Sequence, residues 1–226
     1  MVRYFGPMAL CAGLLLNTGC DTIGGVGGLI AQAIPVQINA AYKGLANQTV
    51  IVMVWMDRGM KNDYPDVQLD IAASLQGKLI KIAHDQAPAE LKGTEFPVLA
   101  STVIRYQDDH PEIDIQPITQ TAASFDGTRL IYVEIKDFAT HAGAVELFRG
   151  RLKGDIKVIE ITPSPDGKTA KAKIAYSEND IAVDYPKDSP NDGLPVGTET
   201  TITQGTIDAF TTSVAKRFYS HLEDRD

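Results

Sequence analysis

Seven consecutive residues, Val50-Ile-Val-Met-Val-Trp-Met56, constrain this chain more than any other segment. With Thr49 in front they form an almost unbroken β-branched and apolar run. A run of that length without alternation fits a strand buried on both faces, which needs a covering layer above and another below. Asp57-Arg58-Gly59 ends it. Asn62-Asp63-Tyr64-Pro65-Asp66 follows, rich in capping residues, with Asp63 or Asp66 as the expected cap and Pro65 suited to a first helical position. Val67, Ile71, Leu75, Leu79 and Ile82 then recur at helical spacing and predict an amphipathic helix over residues 66–84.

Further along, Phe96-Pro-Val-Leu-Ala100 reads as a short second strand, and Ser101 to Asp109 as a helical segment stopped before Pro111. Pro117 opens another short helix, which Asp126-Gly127 ends. Arg129 to Asp137 is a second core strand and Leu147 to Ile161 a long one. Asp166-Gly167 is a turn signal. Ala170, Ala172, Ile174 and Tyr176 alternate with Lys171 and Lys173, as in a strand with one wet face, so a hairpin is expected here. Residues 177–200 read as an irregular crossover. Ile207, Phe210, Val214 and Phe218, with Leu222 extending the stripe, mark a carboxy-terminal helix. The predicted class is α/β (α+β-like). Its mixed parallel and antiparallel sheet has about five strands, a long helix after the first strand, and the terminal helix packed on it.

The amino terminus speaks of location. Arg3 precedes a short apolar run ending in Leu14-Leu15-Leu16, small residues follow, and Cys20 comes after Thr18-Gly19. This is the layout of a secretory signal, with an apolar centre too short to span a bilayer. It resembles the lipobox of bacterial lipoproteins, with Asn17 where that motif usually has a branched apolar residue. The resemblance implies cleavage before Cys20 and acylation of that cysteine by chains such as palmitate. The expected organisation is a signal peptide over 1–19, a lipid-bearing cysteine and tether over 20–48, and one globular domain over 49–226. The tether carries Gly24-Gly-Val-Gly-Gly28 and the apolar stretch Leu29 to Ile34, either a short docking helix or part of the spacer. Cys11 and Cys20 are the only cysteines, so the mature body is expected to hold no disulfide.

The formal net charge is −8. Nucleic acid wants a basic face, so no nucleic-acid partner is expected. No apolar run in the mature chain approaches the length of a transmembrane helix, and membrane attachment is expected through the lipid on Cys20.

Motifs for chemistry are sparse. His84, His110, His141 and His221 are far apart, and H-E-x-x-H is missing. Asp108-Asp-His-Pro-Glu-Ile-Asp114 is the densest acidic patch, but it lacks the calcium-loop pattern and reads as a solvated helix end. No metal, cofactor or catalytic residue is expected. Ligands of α/β sheets usually sit beyond the carboxyl ends of parallel strands. That makes Trp55, Asp57 and Arg58 the candidate ligand or partner surface, against the alternative that these residues are packing, capping and solvated groups.

The chain resembles a family of uncharacterised predicted bacterial lipoproteins. Tyr42-Lys-Gly-Leu45, the Val-Met-Val-Trp strand with Asp57-Arg-Gly59, and Asp63-Tyr-Pro65 with Gln68-Leu-Asp-Ile71 carry the resemblance. So do Val103-Ile-Arg-Tyr-Gln107, Arg129-Leu-Ile-Tyr-Val-Glu134, Val145 to Gly150, Glu178-Asn-Asp180 and Ala215-Lys-Arg-Phe218. It implies an envelope location and no particular activity. More distantly, the layout is similar to the α/β domain of the curli-secretion channel subunit and the amino-terminal domain of TolB. Fold analogy does not carry function. Phe125-Asp-Gly-Thr128 replaces the Gly-Ala-Asp that often precedes the central strand there. No pair of long alternating segments could build a barrel, so a channel role is not expected.

The expected function is that of a non-enzymatic cell-envelope lipoprotein facing the periplasm, acting in protein interaction, assembly or transport. A small-molecule or ion-binding periplasmic domain is the alternative, and a hydrolase with an unrecognised site the second alternative.

Overall fold

A computed structural model describes residues 35–141, 148–163, 170–187 and 199–223. The expected leader, Cys20, the tether up to Ile34 and the turn at Asp166-Gly167 lie outside the described residues. The chain divides into two units, Gln37–Leu222 and the chain ends Met1–Val36 with Glu223–Asp226. The main sheet and its helices belong to the first.

In chain order the elements are β1 (Val36–Ile38), β2 (Val50–Trp55), α1 (Arg58–Asp63), α2 (Val67–Asp85), α3 (Ala100–Asp109) and α4 (Ile118–Ala122). Then come β3 (Arg129–His141), β4 (Phe148–Pro163), β5 (Ala170–Tyr185), α5 (Glu199–Ala215) and β6 (His221–Glu223). Short 3-10 turns cover Ala89–Leu91, Pro111–Asp114 and Lys216–Phe218. The main sheet has the order β2-β3-β4-β5, and β1 pairs with β6 in a two-stranded ribbon. β2 runs parallel to β3, with Val50 opposite Arg129 and Trp55 opposite Glu134. The β3–β4 and β4–β5 pairs are antiparallel. This is the mixed α/β sheet expected from the sequence.

The continuous apolar run of β2 has its cause in two covering layers. Val50, Val52 and Val54 join the core formed with Ile71, Leu75 and Leu79 of α2 and Phe210 and Val214 of α5. Ile51 and Met53 point the other way and join a second core with Val103 of α3, Ile113 and Ala122 of α4. Ser74 and Thr211 share a hydrogen bond of 2.9 Å where α2 meets α5, and Lys78 pairs with Asp208 at 2.6 Å. Truncating a fully buried leucine such as Leu75 or Leu79 to alanine costs about 2–5 kcal/mol in such a core.

Several elements differ from the sequence expectation. Phe96–Ala100 is not a strand. A single bridge joins Thr49 to Glu95. Pro97 has no N–H to give, and the Gln76 side chain takes the Val98 carbonyl at 2.7 Å and the Ala100 N–H at 3.0 Å. The parallel neighbour of β2 is therefore β3, four helices further on. Asp57 caps a helix, α1, that the sequence did not signal: its side chain accepts from the Met60 N–H at 3.0 Å. Asp66 makes no side-chain cap bond, and Asp63 is the last residue of α1.

β5 runs through Tyr185, where a crossover loop was expected, and Ile181 is buried. The β4–β5 register shifts between Gly154 and Ile156 and again between Val158 and Ile159. Such bulges break the alternation that would have revealed the strand. Leu222 does not extend the terminal helix. It lies in β6 and is 67% exposed.

Candidate functional site

β2 stops at Trp55, while β3 and β4 continue past it. Beyond that step an open cleft of about 240 Å³ lies on the face that carries Met53 and Tyr132. Its floor is apolar, from Met53, Ile113 and Ile118. Trp55 and Tyr132 add aromatic walls, and Asp114, Glu134 and Lys157 supply charge.

The backbone explains this convergence. In the parallel β2–β3 pair, Trp55 and Glu134 are direct neighbours. Tyr132 faces Lys157 of β4 and Glu134 faces Asp155. Asp114 arrives from the 3-10 turn Pro111–Asp114 that follows α3. The Trp55 indole N–H donates to Asp114 Oδ1 at 2.8 Å. Arg58 Nε stands 4.0 Å from Asp114 Oδ2, and the Arg58 side chain is 80% exposed.

Charge on the sheet side is arranged in pairs. Lys136 donates to Glu134 and lies 3.7 Å from Asp155. Lys157 Nζ lies 3.7 Å from Glu134 and 5.6 Å from the centroid of the Tyr132 ring. Burial raises the pKa of the Tyr132 hydroxyl, and the carboxylates of Glu134, Asp114 and Asp155 raise it further. Tyr132 is thus held protonated. The hydrogen bond to Glu134 raises the pKa of Lys136, which stays charged.

Of the three candidate residues, Trp55 and Arg58 approach each other through Asp114. Asp57 points its carboxylate into the α1 cap. Sequence reasoning missed Tyr132, Glu134 and Lys157, which read as ordinary strand residues. Asp114 was visible in the acidic patch, but nothing local tied it to Trp55, 59 positions away. The rest of that patch is dispersed: Glu112 pairs with His110 at 2.9 Å. Asp70 of α2 has its pKa raised by burial and then by Asp66. Among the described residues no group of three or more His, Cys, Asp or Glu side chains is placed to hold a metal ion. No described helix is long and apolar enough to cross a membrane.

A larger groove of about 500 Å³ lies between Ile80 and His84 of α2 and the Leu91–Pro97 segment. Its lining is mainly apolar, with Glu95 as its one carboxylate. The Trp55 cleft is smaller, yet aromatic and charged groups meet there, and such convergence marks the better site candidate.

No family model and no curated protein matches this chain. Among solved structures it is similar to the lipoprotein GNA1162 from Neisseria meningitidis, at 8% identity and a TM-score of 0.41, over 74% of this chain and 98% of that one. It is also similar to PelC from Paraburkholderia phytofirmans, solved as a dodecamer, at 6% identity and a TM-score of 0.35, over 83% of this chain and 98% of that one. Likeness at this level says nothing of what the chain binds or does.

Proposed function

We propose that this chain is a cell-envelope lipoprotein, held to a membrane by a lipid on Cys20, whose α/β body faces the periplasm and works by binding a protein partner. The leader carries this reading: Arg3, the apolar run to Leu16, and Cys20 directly after Thr18-Gly19. Support for binding rather than catalysis comes from the chemistry of the cleft. Its polar groups hold one another, Trp55 with Asp114 and Glu134 with Lys136 and Lys157. Tyr132 stays protonated and is a poor base near neutral pH.

Mass spectrometry of the protein from native membranes, beside Cys20→Ala, tests the anchor. The expected result is an acylated Cys20 terminus, lost in the variant together with membrane association. An intact Met1 terminus would sink the reading. Crosslinking in envelope membranes tests the binding role, and no partner above background would count against it.

A second reading, a small-molecule or ion-binding domain, is favoured by the concavity of the Trp55 cleft. A ligand that binds only the folded state raises the unfolding temperature, so a thermal-shift screen separates the two.

A further inference from the structure

We propose that the cleft between Trp55 and Tyr132 receives a lysine or arginine side chain from a protein partner, with the Asp114 carboxylate as its acceptor. This rests on the body being a binding domain and names the chemistry of its partner.

Asp114 is prepared for a second donor. Its Oδ1 is fixed by the Trp55 indole at 2.8 Å. Near Oδ2 stands Arg58 Nε at 4.0 Å, beyond hydrogen-bond reach, on a side chain that extends mostly into solvent. One oxygen is oriented by a rigid aromatic, and the other has, among the described residues, only the long ion pair with Arg58, which an incoming N–H can replace. Glu134, itself paired with Lys136 and Lys157, is a second carboxylate in the lining.

The walls suit a cation on an apolar stem. A lysine or arginine stem would pack on the Trp55 and Tyr132 rings and on Ile118, while its head reaches the carboxylate. Lys157, with its Nζ over the Tyr132 ring and near Glu134, demonstrates that a cation is accommodated on this face.

Ile115 argues for a protein as the source of the cation. It follows Asp114 directly and is 89% exposed. A free small cation in the cleft would leave it in water. A partner chain that delivers a basic side chain would cover it, giving an apolar contact beside a charged anchor. Asp108 and Asp109, at the end of α3 just before the same turn, are exposed.

Trp55 is the one tryptophan of the chain, so its fluorescence reads the cleft directly. The full chain is titrated with the blocked peptide Gly-Arg-Leu-Gly, with Gly-Glu-Leu-Gly, and with agmatine, an arginine side chain without a backbone. The arginine peptide is expected to give a saturable change in Trp55 emission that weakens with added salt. Asp114→Asn, which keeps an acceptor for the indole, weakens binding by about tenfold or more, and the remote Asp208→Asn does not. Ile115→Ser, a surface change that leaves the fold intact, weakens the peptide and leaves agmatine unchanged. No saturable change with the arginine peptide overturns the proposal, as does equal binding by Asp114→Asn or by the glutamate peptide. Agmatine binding as tightly as the peptide would overturn the protein partner in favour of a free cation. An unmodified Cys20 would remove the lipid anchor and leave these outcomes untouched.

Discussion

The side-chain amides of Gln68 and Gln107 converge on one backbone oxygen, that of Val54, at 2.7 and 3.0 Å. They also meet each other at 3.3 Å. Gln68 lies on α2 and Gln107 on α3, and both are buried. Through this contact two helices are bonded to a carbonyl one residue before the end of an edge strand. Either amide alone still satisfies the Val54 oxygen, and losing both orphans it. Gln68→Met and Gln107→Met are each expected to cost about 1–2 kcal/mol in urea unfolding. The double variant should exceed their sum by roughly 1 kcal/mol. Simple additivity would show that the two amides act independently.

Asp57, and not Asp66, holds a helix start. Asp57→Ala should lower stability by about 1 kcal/mol through loss of the bond to the Met60 N–H. Asp66→Ala, which removes no cap bond, should lie within about 0.5 kcal/mol of the parent. Paired thermal melts check both.

Two glycines should respond to alanine in opposite directions. At Gly154 a Cβ would lie 2.9 Å from the Glu134 carbonyl oxygen and 3.1 Å from Phe210 Cζ, where β4 passes under α5. Gly154→Ala is expected to cost at least about 1–3 kcal/mol, because backbone and a buried ring must give way. At Gly77, inside α2, a Cβ meets nothing within 4 Å. Gly77→Ala should stabilise by up to about 1 kcal/mol through helix propensity. Denaturant midpoints of the two variants read the contrast.

Glu178 links stability to pH. Arg217 grips its carboxylate through two hydrogen bonds of 2.9 and 3.2 Å and, with the Tyr176 hydroxyl, lowers its pKa against some opposition from burial. A folded-state pKa below the unfolded value means stabilisation that is complete above the unfolded value and lost as pH falls through the folded one. The stability gap between parent and Glu178→Gln should therefore stay constant from neutral pH to about pH 5 and shrink below the ordinary value of 4.5. A gap that widens on acidification would contradict this pairing.

What could be read from the sequence was what is written locally. β2 announces itself as an unbroken apolar run, and α2 as a stripe of period 3.6, because two-sided and one-sided burial leave those patterns in adjacent residues. The far half of β5 hides behind two register shifts and behind Asp180, whose φ is 61°. α1 is one and a half turns long and buries no residue, so no hydrophobic period marks it. The cleft was half legible. Trp55 and Arg58 stand at the end of a parallel strand, where ligands usually gather. Asp114, Tyr132, Glu134 and Lys157 join them through strand register and one long-range hydrogen bond, and neither leaves a trace in nearby sequence.

The bonds at the Val54 edge also give the main sheet a polarity of growth. At the β2 border, Val50 N–H is taken by the Glu95 carbonyl and the Val54 oxygen by two side-chain amides, so helices and a loop stand where a neighbouring ladder would begin. The opposite border is β5, sixteen residues long and last in the order. Among the described residues no strand pairs beyond β5, so a strand recruited from another chain would find its template there. It would also have to follow two kinks and a left-handed residue, a contour that a flat, self-propagating stack does not fit.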